Sequence, residues 1–139
     1  MLDYEIRSVL EFSSVVYHSL IPKYLANLLE AIQKRTLKSI YGYELNYEEL
    51  LQRSGLPRLG ERRSGAFSKF AKKTSENPKY KHWFPLREQQ RQTRSNNPYL
   101  EERATGDRLY KSPLFAMRRE LNGNTPNHEI DLSGIFNDQ

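Results

Sequence analysis

The chain has 139 residues, carries 22 Lys and Arg against 17 Asp and Glu, and contains no cysteine, which excludes disulfides, thiolate zinc sites and zinc knuckles. Apolar residues (glycine included) make up about 35%, below the ~45–50% of an average soluble domain, and mean hydropathy is -0.83, so the core is expected to be thin. No apolar run reaches the ~18–20 residues of a membrane span and the N-terminus lacks a basic-then-apolar signal layout. The expectation is therefore an intracellular protein, nuclear or cytoplasmic, rather than a secreted one.

Leu2, Ile6, Val9, Ser13, Val16 and Leu20 recur at three- and four-residue steps, predicting an amphipathic helix over residues 2–19. Pro22 suits the first turn of a second helix, with Leu25, Leu28, Leu29, Ile32, Thr36, Leu37 and Ile40 on its apolar side and Gly42 as its stop. A third helix begins after Asn46, which with Glu49 forms a capping-box pattern, and ends at Gly55. A fourth runs from Leu59 to about Ser75, closed by Asn77-Pro78. Its apolar strip is Leu59, Ala66, Phe67 and Phe70, and the helical repeat gathers Arg58, Arg62, Lys69 and Lys73 on a neighbouring strip. Residues 80–85 are an aromatic patch with the single tryptophan, Trp83, and residues 86–97 form a polar, basic linker without apolar period. A last helix starts near Pro113, with Leu114, Phe115, Met117 and Leu121 apolar, before a loose tail. The fold class read from this pattern is mainly α: a small bundle of about four helices plus a short C-terminal helix, with an irregular basic loop.

The charge is uneven. Residues 51–100 hold 12 basic against 3 acidic side chains, while the flanking thirds are slightly acidic. A block of this kind suits a polyanion, because neutralising phosphates releases condensed counterions; the plainer account is a solvated basic surface that aids solubility. No arrangement of catalytic residues accompanies it. The four aspartates, Asp3, Asp107, Asp131 and Asp138, include no adjacent pair, the three histidines lie far apart, and no phosphate loop or HExxH is present. No metal or cofactor site is read from the chain.

Four segments, in this order and spacing, carry a resemblance: IRSVLEFSSVVYH (residues 6–18), LLEAIQKRTLKSIYG (28–42), YEELLQRSGLPRLGERR (47–63) and RLYKSPLFAMRRELN (108–122). Together they resemble the C-terminal part of reverse transcriptases from non-LTR (LINE-like, jockey-type) retrotransposons, the thumb and the region after it. The first segment lacks the proline and tryptophan of the usual SPVWH ending, and Leu121 stands where the family commonly has tryptophan. The resemblance implies a helical thumb-like domain over residues 1–76; the residue pattern divides the rest into an aromatic patch and basic linker over 77–98, a C-terminal segment over 99–122 and a tail over 123–139. It also implies a remnant without the polymerase's metal-binding carboxylates, as elements that insert with truncated ends would leave behind.

Thumb helices hold the template–primer duplex by its backbone. On that analogy Lys34, Arg35 and Lys38 are duplex contacts; complementing the helix dipole explains them equally well. Arg58, Arg62, Lys69, Lys72 and Lys73, with Arg87, Arg91 and Arg94 from the loop, complete the expected nucleic-acid-binding set. RNA or DNA, bound weakly and without sequence preference, is the expected partner, alongside other retroelement proteins. Two further readings stay open. Residues 47–54, the turn at 55–57 and the helix from 59 could be a helix-turn-helix reading DNA sequence, or the helices could serve only as a scaffold. The patch of Tyr80, Trp83 and Phe84 either stacks single-stranded bases or closes a small core.

Overall fold

Helix boundaries in the protein follow its local chemistry closely. A computed structural model describes residues 2–87 and 97–123. Among them the backbone is mainly helical: α1 (Leu2–Glu11), α2 (Ser14–Tyr17), α3 (Lys23–Tyr41), α4 (Tyr47–Ser54), α5 (Leu59–Glu76), a 3-10 helix (Pro78–Trp83), α6 (Asp107–Tyr110) and α7 (Pro113–Leu121). Asn46 Oδ1 accepts from the Glu49 amide at 3.0 Å and the Asn46 amide donates to Glu49 Oε2 at 3.1 Å, the reciprocal capping box the sequence predicts. Gly42 (φ 109) and Gly55 (φ 66) close α3 and α4 in backbone conformations that a side chain would strain. The tail from residue 124, with Ile130, Leu132, Ile135 and Phe136, and most of the basic linker lie outside the described residues.

The single helix expected over residues 2–19 is two. Ser13 takes a left-handed conformation (φ 55) between α1 and α2. Two serines followed by the β-branched pair Val15-Val16 weaken helix propensity there, and the periodicity carries across a break it does not reveal.

The chain divides into two units, with the division falling inside α5 between Ser64 and Gly65. The first comprises residues 2–14 and 21–64 among those described. Its core joins Leu37 of α3 to Tyr47, Leu50 and Leu51 of α4, with Tyr41, Leu45 and Leu56 packed at the edge. The buried side of α3 departs from expectation. Asn27, Glu30, Gln33 and Leu37 point inward, whereas Leu28 is 54% and Ile32 45% exposed, with Leu25 and Ile40 also exposed. The reason lies in what faces them. The Tyr47 hydroxyl donates to Glu30 Oε1 at 2.5 Å, and Gln33 Nε2 donates to the Pro57 carbonyl at 3.3 Å. These bonds offset part of the cost of burying polar side chains, although Glu30 Oε2 and Gln33 Oε1 have no hydrogen-bond partner among the described residues.

The second unit comprises Val15–Leu20 with residues 65–87 and 97–123 among those described. Phe67, Ala71, Phe84, Ala116 and Met117 form its core, and Val15, Tyr99, Leu114 and Leu121 pack against it. The His18 ring packs 5.0 Å from that of Phe67. Leu86 and Tyr99 form an antiparallel bridge that ties together the two sides of the basic linker. Asn122 clamps the same segment: its Oδ1 accepts from the Tyr99 amide at 3.0 Å and its Nδ2 donates to the Tyr99 carbonyl at 3.1 Å. Arg118, 6% exposed on α7, donates from Nε to the Trp83 carbonyl at 2.9 Å. Neither clamp is visible in the sequence pattern.

Candidate functional site

The packed side of α5 in the second unit is Phe67, Ala71 and Thr74, while Phe70, expected to be buried, is 45% exposed. At about 100° per residue this rotation places Lys69, Lys72 and Lys73 on the opposite side of the helix from the core, not on a strip beside it. All three are exposed, and their ammonium groups have no ion-pair or hydrogen-bond partner among the described residues. The cationic run continues through Lys79 and Lys81 of the 3-10 helix to Arg87, all exposed. Between residues 65 and 87 there are six Lys or Arg and one carboxylate, Glu76. The segment itself is therefore strongly basic, although the fold brings the Glu120 carboxylate against Ser68 of α5; its excess cations attract anions across roughly a Debye length of ~8–10 Å at ordinary salt.

The 3-10 helix is started by Asn77, whose Oδ1 accepts from the Lys79 amide at 3.0 Å, and by Pro78, which has no amide hydrogen to satisfy. Lys79 Nζ sits 5.5 Å from the centre of the Tyr80 ring, and the Tyr80 and Trp83 rings lie 4.8 Å apart, tilted by 32°. Phe84 is buried in the core while Trp83 remains 40% exposed. Of the two readings the sequence left open, closing a small core holds for Phe84, while Trp83 stays at the surface. Lys79 and Lys81 were not among the candidate residues. Their signal was the alternation of cation and ring in Lys79-Tyr80-Lys81-His82-Trp83.

The remaining candidates are placed elsewhere. Arg58 pairs with Glu48 and lies 5.7 Å from the centre of the Tyr47 ring, and Arg62 Nε pairs with Glu11 at 2.9 Å, so both arginines hold partners within the first unit. Arg63 is turned inward as the helical repeat implies, 4% exposed, but no acidic side chain among the described residues bonds its Nε or Nη1. On α3, Arg35 is exposed and Lys34 and Lys38 are half-buried. Burial, and then the neighbouring Lys38 charge, hold the Lys34 ammonium below its ordinary pKa. Arg91 and Arg94 lie outside the described residues.

α4, the turn after it and α5 follow one another as a helix-turn-helix would require. The first turns of α5, however, expose Glu61 and Ser64, commit Arg62 to Glu11 and bury Arg63. That surface lacks the Arg, Asn or Gln donors with which base edges are read. Among the described residues no group of three or more His, Asp or Glu side chains is placed to hold a metal ion, and no helix is long and apolar enough to cross a membrane. Comparison with protein-family models, curated proteins and solved structures gives no match for this chain.

Proposed function

We propose that the chain is a passive, sequence-independent binder of nucleic-acid backbone, a non-catalytic relative of the thumb region of non-LTR reverse transcriptases. The observation that carries this reading is the exposed lysine face of α5, Lys69, Lys72 and Lys73, turned away from the core and free of carboxylate partners. Ammonium groups held in this way gain more from phosphate than from water, because each contact releases a condensed counterion. Lysine offers a point charge without the planar fork that reads guanine, so such a face binds many sequences alike. The passive part of the reading is supported by the sequence, in which no two aspartates are adjacent. The resemblance supports the same conclusion, since thumb helices grip backbone and leave chemistry to another region.

Fluorescence anisotropy with a labelled 20-nucleotide duplex or single strand, between 50 and 300 mM KCl, tests this proposal. If four to six phosphates are engaged, log K on duplex falls with log salt at a slope of roughly -4 to -5. Replacing Lys69, Lys72 and Lys73 by Gln should flatten the slope by about 2 to 3 and weaken unrelated sequences equally. A slope near zero, or no binding at the lowest salt, would remove the reading.

A further inference from the structure

We infer that Tyr80 and Trp83 form a stacking platform for an unpaired base, so that the preferred ligand of the second unit is single-stranded RNA or DNA rather than duplex. This rests on the backbone-binding reading above and deepens it.

Tryptophan is highly buried on average, because its ring removes a large apolar area from water. Trp83 is 40% exposed although the chain around it is pinned. The Arg118 guanidinium holds its carbonyl, the Phe84 amide donates to the Lys81 carbonyl at 3.0 Å, and Phe84 itself is 3% exposed in the core. The indole is thus left at the surface on a backbone that hardly needs to move when a ligand arrives. Tyr80 packs against it at 4.8 Å with Lys79 Nζ 5.5 Å from the Tyr80 ring centre, so two rings and an ammonium stand together at the surface.

What fits this patch must be anionic and must carry flat rings. Exposed Lys72, Lys73, Lys79 and Lys81 supply the anion-binding requirement, against Glu76 within residues 65–87 and Glu102, which pairs with Arg118 at 3.8 Å. An indole supplies the second. A base inside a duplex has both faces covered by its neighbours and cannot lie on it; an unpaired base can, and every base has such a face. The sugar plays no part in the stacking, so RNA and DNA should both bind.

Trp83 is the single tryptophan, so the emission of the intact chain reports directly on this ring. Titration with dT16 or U16 should quench it, whereas a 16-base-pair duplex should bind more weakly and leave the emission unchanged. Trp83→Ala should weaken both single strands about tenfold, and Trp83→Phe by less. In both variants the salt slope should stay as it was, because no cation is removed. Circular dichroism of the variants checks their helices; if Trp83→Ala fails to fold, Trp83→Phe and the quenching of the unaltered chain decide. Absence of quenching, equal loss for duplex and single strand, or equal quenching by polyglutamate of matched charge would overturn the platform. In those cases salt-dependent binding would survive. Loss of all salt-dependent binding would instead remove the backbone reading beneath it.

Discussion

Tyr47 shows how one side chain reports on the packing around it. Burial first, and the hydrogen bond to Glu30 second, push its phenol well above the ordinary value of 10.0. The unfolded chain therefore releases this proton at a lower pH than the folded chain does. The stabilisation from Tyr47 is fully present below pH 10 and is lost as pH rises beyond it, with a slope of up to about 1.4 kcal/mol per pH unit. Urea unfolding between pH 7 and 11.5 should show Tyr47→Phe about 1–3 kcal/mol less stable at neutral pH, because the buried Glu30 carboxyl loses its donor. That gap should narrow above pH 10, and a constant gap would contradict the assignment. Asn122 is a second such residue. Asn122→Ala removes both hydrogen bonds to the Tyr99 backbone and should cost about 1–2 kcal/mol, with faster hydrogen exchange at the Tyr99 amide. Asn46 was legible in the sequence because its partner Glu49 lies one helical turn away. Asn122 was not, because Tyr99 is 23 residues off and only the fold brings them together.

Among the helices, the same contrast decides which face is buried. The spacing of Leu25, Leu28, Ile32, Leu37 and Ile40 marks an apolar side of α3, but of these five only Leu37 is buried, and the core forms on the arc of Asn27, Glu30, Gln33 and Leu37. Periodicity finds a stripe; the partner's chemistry selects the stripe that packs. In α5 both Phe67 and Phe70 were plausible core residues, and the short side chain of Ala71 lies on the arc that packs, with Phe67. Ile32→Lys should change stability by no more than about 0.5 kcal/mol, as a surface substitution does, whereas Leu37→Ala should cost about 2–5 kcal/mol through transfer and cavity terms. Chemical denaturation of the two variants separates these expectations. The reverse order would mean that α3 buries Ile32 rather than Leu37.

Across the whole chain, a net charge of +5 conceals two kinds of cation. The concentration of basic residues in the middle third was legible from composition alone. Their division was not, because the carboxylates that engage Arg58 and Arg62 stand at Glu48 and Glu11, one of them 51 positions upstream of its partner. Arg58 and Arg62 are occupied within the first unit, while Lys69, Lys72 and Lys73 face solvent in the second. Equal reductions of net charge should therefore have opposite consequences. Arg58→Gln with Arg62→Gln should lower stability by about 0.2–1 kcal/mol per ion pair and leave the salt slope of nucleic-acid binding nearly unchanged. Lys69→Gln with Lys72→Gln removes the same charge, should leave the urea midpoint in place and should flatten the slope by about 1 to 2. If both pairs lowered binding alike, the protein would be acting through its total charge, and the lysine face of α5 would hold no special place in it.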